Sequence, residues 1–139
     1  MNYVLWALLA LACYSFVAPL VSISTQSGIP SDVAVLVVNG ILVVIAAGLV
    51  VLRGDEAITY LTHPKAPYLF AAGLFLTGGI LSYYRALSLG PVSIVVPIFG
   101  LFIVASSVIG IVLLDESVTL RKTAGIGFAL IAVYLTTIE

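Results

Sequence analysis

The sequence predicts an all-α fold: a polytopic membrane protein built as a bundle of five transmembrane helices. Three observations predict it. The chain is 63% hydrophobic and only 8% charged, whereas a water-facing domain carries roughly 25% charged residues. Its apolar residues fall in five stretches near the ~20 residues that a helix needs to cross ~30 Å of hydrocarbon. Its Gly, Pro and charged residues collect in short turns between those stretches.

The first helix is predicted over about residues 3–23. Tyr3 and Trp6 stand at its start, where amphipathic rings favour the membrane interface. No basic leader region precedes it and no small-residue cleavage motif follows, so the segment is read as retained. Cys13, Tyr14 and Ser15 fall near its middle. Pro19 has no N–H to give the Ser15 carbonyl, so a bend is expected there. Cys13 is the one cysteine; it is read as a small buried hydrophobe, with no disulfide or metal role. The polar stretch 24–32, containing Gly28 and Pro30, is the first turn.

The second helix is predicted over 31–52, with Ser31 or Asp32 placed to cap its first free amides. Asn39 lies mid-span, where lipid offers its carboxamide no partner, so it is expected to hydrogen-bond inside the bundle or line a cavity. The connection 53–65 carries Arg53, Asp55, Glu56, His63 and Lys65. Its AITYL stretch reads as a short amphipathic turn at the interface. His63, the one histidine, reads as a solvated loop residue.

The third helix is predicted over 67–89, with Pro67 in its first turn. Gly73, Gly78 and Gly79 expose backbone along it and would let a neighbour approach. Arg85 reads as snorkelling to the nearby interface, with contact to an anionic substrate group at a cavity mouth as the alternative. Gly90-Pro91 makes a stop and a restart. The fourth helix is predicted over 91–114. Pro97 inside it leaves the Ser93 carbonyl without a helical partner, which membranes tolerate where neighbours or cavity water serve the freed group. After the charged turn 115–122, Thr119 would cap a fifth helix over 119–138, with Asp115 and Glu116 just before its positive end. Glu116 is read as capping and turn structure, with an ion pair to Arg121 or Lys122 as the alternative. Gly125 and Gly127 open the early turns of the fifth helix to close packing.

The net charge of −1 supplies no basic patch, which excludes nucleic acid as a partner. Arg53, Lys65, Arg121 and Lys122 fall on one side of a five-crossing topology and Arg85 on the other. The positive-inside rule then places the N-terminus in the cytoplasm and the C-terminus outside, in a multi-pass protein of the plasma membrane.

From Tyr84 to Leu135 the sequence YRALSLGPVSIVVPIFGLFIVASSVIGIVLLDESVTLRKTAGIGFALIAVYL resembles one half of an EamA-type transporter, of the drug/metabolite transporter superfamily. The features that carry the resemblance are Ala86-Leu87 before a small-residue turn at Gly90, Pro97 within the next helix, Glu116 after it, and Gly125 early in the last helix. The match is good over about 70–135; the first two segments agree in length and character. The resemblance implies a single EamA-like transmembrane domain over 1–139. It also implies movement of small organic metabolites across the membrane.

Family members typically hold two inverted five-helix repeats, and this sequence presents one. The resemblance therefore implies a homodimer, or a heterodimer with a related five-helix subunit. The charge bias suits a partner of opposite orientation better than an inverted copy of the same chain, and a same-facing dimer is a third arrangement. Small multidrug resistance relatives couple export to protons through a carboxylate in the first helix. Here no Asp or Glu lies in the interior of a predicted span, which disfavours that coupling.

The candidate substrate cavity comprises Tyr14, Ser15, Asn39, Thr77, Tyr84 and Pro97, the last as a shaping point and not a contact. Such groups beside apolar walls suit uncharged, zwitterionic or amphipathic solutes. A non-transporting scaffold or accessory subunit is the alternative function. An enzyme is not expected, because no nucleophile–base pair, carboxylate pair or metal triad lies within a span. No cofactor or metal is implied.

Overall fold

The structure, a computed structural model, describes residues 2–113 and 117–137. Its regular elements there are helices: α1 (Asn2–Gln26), α2 (Ser31–Arg53), α3 (Ala57–Leu61), α4 (Ala66–Leu89), α5 (Val92–Gly100), α6 (Phe102–Leu113) and α7 (Leu120–Thr137). Asp115, Glu116 and Glu139 lie outside the described residues, and with them the role assigned to Glu116.

Among the described residues, four stretches are long and apolar enough to cross a bilayer: Tyr3–Gln26, Ser31–Arg53, Ala66–Leu89 and Val92–Leu113. Four of the five predicted crossings are thus present by length and composition. The 18-residue α7 begins LRK, and two cations in its first turn dilute its apolar character.

The first helix runs to Gln26, past the predicted end at 23. Hydroxyl back-bonding accommodates the polar residues there. Ser24 Oγ donates to the Leu20 carbonyl at 2.9 Å and Thr25 Oγ1 to that of Val21 at 2.9 Å. Gln26 Nε2 donates to Ser22 Oγ at 2.8 Å. Polar side chains that look like a turn in sequence are thus served by their own helix, one turn back. The helix also passes through Pro19 without interruption.

Pro30, with φ −57° and ψ 140°, is the N-cap of α2, and no side-chain cap bond forms. The predicted cap at Ser31 or Asp32 is therefore corrected. Ser31 Oγ turns to Asp32 Oδ1 at 3.3 Å instead, and the Pro30 carbonyl accepts from Ala34 N–H at 3.1 Å. At the other end Gly54 adopts φ 72° and its N–H reaches the Val50 and Val51 carbonyls. That left-handed closure suits glycine, which has no Cβ to clash.

The fourth predicted segment is two helices. α5 contains Pro97 and ends at Gly100, and α6 starts at Phe102. In an unbroken helix the Leu101 N–H would donate to the Pro97 carbonyl. Here it donates to Ile98 at 3.2 Å, and the ladder resumes with Ala105 N–H on Leu101 at 3.1 Å. The break therefore falls one turn beyond the proline, next to Gly100.

The predicted cap of α7 is present. Thr119 Oγ1 accepts from Lys122 N–H at 3.3 Å, and the Thr119 carbonyl accepts from Thr123 N–H at 3.0 Å. Lys122 Nζ donates to the Ser117 carbonyl at 3.1 Å.

The chain divides into two compact units, Met1–Leu89 and Gly90–Glu139. In the first, α1, α2 and α4 pack on one another. In the second, α7 packs on α5 and α6.

Burial in the first unit is concentrated. Ala18, Val21, Ser22 and Thr25 of α1, Ser31 and Ala34 of α2, and Tyr84 and Leu87 of α4 are buried. They occupy the end of α1, the start of α2 and the end of α4, which the short connections bring to one end of the unit. Toward the opposite end the three helices are largely uncovered, apart from Ala66 beside the turn that precedes α4. Cys13 is exposed there, which corrects its reading as a buried hydrophobe: no neighbouring helix covers that part of α1.

The glycines are also uncovered. A Cβ at Gly73, Gly78, Gly79, Gly125 or Gly127 would meet nothing within 4 Å. The close approach expected at these positions is not made within either unit.

Candidate functional site

Five of the six candidate cavity residues lie in the first unit. Tyr84 is 1% exposed and lies one turn from Leu87, which is fully buried. The Tyr84 ring stands edge-on to that of Tyr83, with centroids 6.3 Å apart and planes at 61°. Tyr14 of α1 lies near enough to Tyr84 of α4 for the two phenols to interact electrostatically.

The other positions follow from helix rise. At ~1.5 Å per residue, Asn39 stands ~12 Å along α2 from its packed end, and Tyr14 and Thr77 stand ~18 Å along α1 and α4 from theirs. All three stand beyond the packed end, where the helices are largely uncovered.

Three of these polar groups are served locally. Ser15 Oγ donates to the Leu11 carbonyl at 2.8 Å, Thr77 Oγ1 to Gly73 at 2.8 Å, and Asn39 Nδ2 to Val35 at 2.9 Å. Each bond runs one turn back in its own helix, so none ties α1, α2 and α4 together. Asn39 is half-buried, while Ser15 and Thr77 are exposed. The carboxamide oxygen of Asn39 and the remaining lone pairs of the hydroxyls keep acceptor capacity for a solute.

Pro97, half-buried in α5, belongs to the second unit. There the α6–α7 pair encloses a recess of about 260 Å³, lined by Ile103, Val104, Ser107, Ile111, Lys122, Gly125, Ile126 and Ala129. Sequence reasoning did not assemble it. Its signal was the four-residue step from Ile103 through Ser107 to Ile111, matched on α7 by Lys122, Ile126 and Ala129. The walls are apolar, with the Ser107 hydroxyl bonded back to the Ile103 carbonyl at 2.8 Å.

The description EamA-like transporter family matches residues 1–138. The chain belongs to this family. It is accordingly a multi-pass membrane protein of the drug/metabolite transporter superfamily, and its family are transporters. A relative from a Sinorhizobium species, named as an uncharacterized transporter in cobO 3'region, is 30% identical over 125 residues. That alignment covers 88% of this chain and 87% of the relative. No solved structure matches the chain. Among the described residues of this EamA-like chain, no group of three His, Cys, Asp or Glu side chains is placed to hold a metal ion.

Proposed function

We propose that the chain is a transporter subunit moving small organic metabolites across the plasma membrane, as a dimer with a second copy or a related subunit. Family membership over residues 1–138 carries the reading. The similar extent of the Sinorhizobium relative supports a subunit of about this length. On this reading α7 is the fifth crossing. Its 18 residues span ~27 Å, with Arg121 and Lys122 snorkelling from its first turn. The N-terminus lies in the cytoplasm, because Arg53, Lys65, Arg121 and Lys122 then face it and only Arg85 faces out.

The substrate cavity is assigned to Tyr14, Ser15, Asn39, Thr77 and Tyr84 of the first unit. Pro97 shapes the broken helix of the second. The concentration of burial at one end of the first unit supports this assignment, since the polar groups stand where the cover ends. The cavity offers hydroxyls and one carboxamide without a fixed charge, which suits neutral, zwitterionic or amphipathic solutes.

The test is uptake of a panel of amino acids and amphipathic metabolites into vesicles containing the purified protein. Uptake that is lost in Asn39→Ala and Tyr84→Phe supports the cavity, and uptake indifferent to every cavity substitution refutes its placement. No flux, with stable co-purification of an unrelated membrane protein, would instead make the chain an accessory subunit.

A further inference from the structure

Outside the proposed cavity, the connection between α2 and α4 forms a second recess of about 570 Å³, lined by Tyr60, His63, Lys65, Ala66, Tyr68 and Leu69. Its chemistry is unlike the rest of the molecule. Two phenols, an imidazole and an ammonium group gather within ten residues of chain, against the apolar wall of Ala66 and Leu69.

The local backbone sets this arrangement. α3 ends at Leu61, and His63 N–H donates to the Tyr60 carbonyl at 3.2 Å. The His63 carbonyl then accepts from Ala66 N–H at 2.8 Å, and the Lys65 carbonyl from Tyr68 N–H at 3.2 Å. His63 Nδ1 accepts the Lys65 backbone N–H at 3.1 Å. The neutral ring therefore carries its proton on Nε2, as a donor directed away from the backbone.

Of the acids in the same connection, the Glu56 carboxylate accepts from Thr59 Oγ1 at 3.0 Å. None of the described carboxylates forms an ion pair with Lys65. The recess thus presents one fixed positive charge and up to three neutral donors to an incoming group.

It also sits at a particular depth. α4 is an apolar helix long enough to span the bilayer, and the recess is at its first residues. Tyr60 and Tyr68 are exposed there, and tyrosines at the end of a span occupy the headgroup level.

We propose that this recess binds the phosphate of an anionic phospholipid headgroup. Lys65 supplies the charge, His63 Nε2 and the Tyr60 and Tyr68 hydroxyls supply hydrogen bonds, and Leu69 lies against the upper acyl chain. Charge complementarity and the membrane setting select this occupant. Cations near a membrane surface attract anionic lipids, and Arg or Lys beside a span commonly fix the headgroup. The site is independent of the proposed transport cavity, and its test does not require flux.

The experiment measures lipid retention by the full-length protein in detergent, by native mass spectrometry with a thermal-unfolding readout. Phosphatidylglycerol is compared with phosphatidylcholine of the same acyl chains, with and without millimolar inorganic phosphate. Phosphatidylglycerol should be retained preferentially. Lys65→Gln should weaken that preference about fivefold, His63→Phe and the Tyr60→Phe/Tyr68→Phe pair should weaken it less, and Arg85→Gln should leave it unchanged. Size-exclusion profiles of the variants confirm folding, and the tyrosine pair, which keeps both rings, tests the site should Lys65→Gln misfold.

Equal retention of the two lipids overturns the proposal, as does wild-type preference in both Lys65→Gln and the tyrosine pair. Displacement by inorganic phosphate would assign the recess to a soluble phosphate and overturn the lipid assignment.

Discussion

The ring of Phe99, in the last turn of α5, lies 5.1 Å from that of Phe102, the first residue of α6, with the planes tilted by 41°. The pair bridges the interruption of the ladder at Leu101. An aromatic contact of this kind contributes about 0.5–1.5 kcal/mol beyond its buried area. It holds two short helices in one relation where backbone hydrogen bonds do not. Phe102→Ala should therefore loosen the junction and cost about 1 kcal/mol. Spin labels at positions 94 and 108 would show a broadened distance distribution relative to the wild type.

Pro97→Ala should behave differently. It restores an N–H able to donate to the Ser93 carbonyl, and so should stabilise α5 by up to about 3 kcal/mol. The break, however, sits at Leu101. The same pair of labels should therefore keep the wild-type mean distance. A longer distance, as for one straightened helix, would show that the proline and not the Gly100-Leu101 step divides the segment.

Thr119→Ala removes the side-chain acceptor for the Lys122 amide. The expected cost is about 1 kcal/mol. Amide exchange should rise over the first turn of α7, while Thr119→Ser, which keeps the hydroxyl, should restore protection.

Leu87 and Leu81 lie on the same helix in opposite settings: Leu87 is fully buried and Leu81 is 42% exposed. Leu87→Ala leaves a cavity at the packed end of the first unit and should lower stability by about 2–3 kcal/mol. Leu81→Ala exchanges one apolar contact with lipid for another and should change stability by less than about 1 kcal/mol. Thermal unfolding in a lipid nanodisc distinguishes the two.

Asn39→Leu separates structure from function. Because the carboxamide bonds to its own helix, its removal should cost less than about 1 kcal/mol of stability. Uptake, on the proposed cavity, should fall at least tenfold. A large loss of stability with normal specific uptake would make Asn39 a packing residue.

Much of this fold was legible because hydrocarbon imposes one length on every crossing. The limits of α2 and α4 fell within a residue of expectation, and Thr119 announced its cap by type and position. What misled was polar chemistry near helix ends. Ser24, Thr25 and Gln26 looked like a turn, yet their side chains bond to α1 itself. Ser31 looked like a cap, yet Pro30 holds that place by its extended backbone.

The break at Leu101 was signalled only by a proline four residues earlier, and composition does not fix where a strained ladder yields. The burial of Tyr84 was not legible. It depends on α1 and α2 converging at one end, which no local pattern encodes. The α6–α7 recess was only half legible: the four-residue step on α6 stands in the sequence, but only packing brings the face of α7 against it.

The hydroxyls of Ser15, Ser24, Thr77 and Ser107 all discharge into carbonyls of their own helices. A helix equipped in this way can turn about its axis, or slip along it, without severing one polar link to a neighbour. Resistance to such motion is left to side-chain interlock, and in the first unit that interlock is gathered around Tyr84 and Leu87. The first unit is thus held firmly at one end and loosely along the rest of its helices.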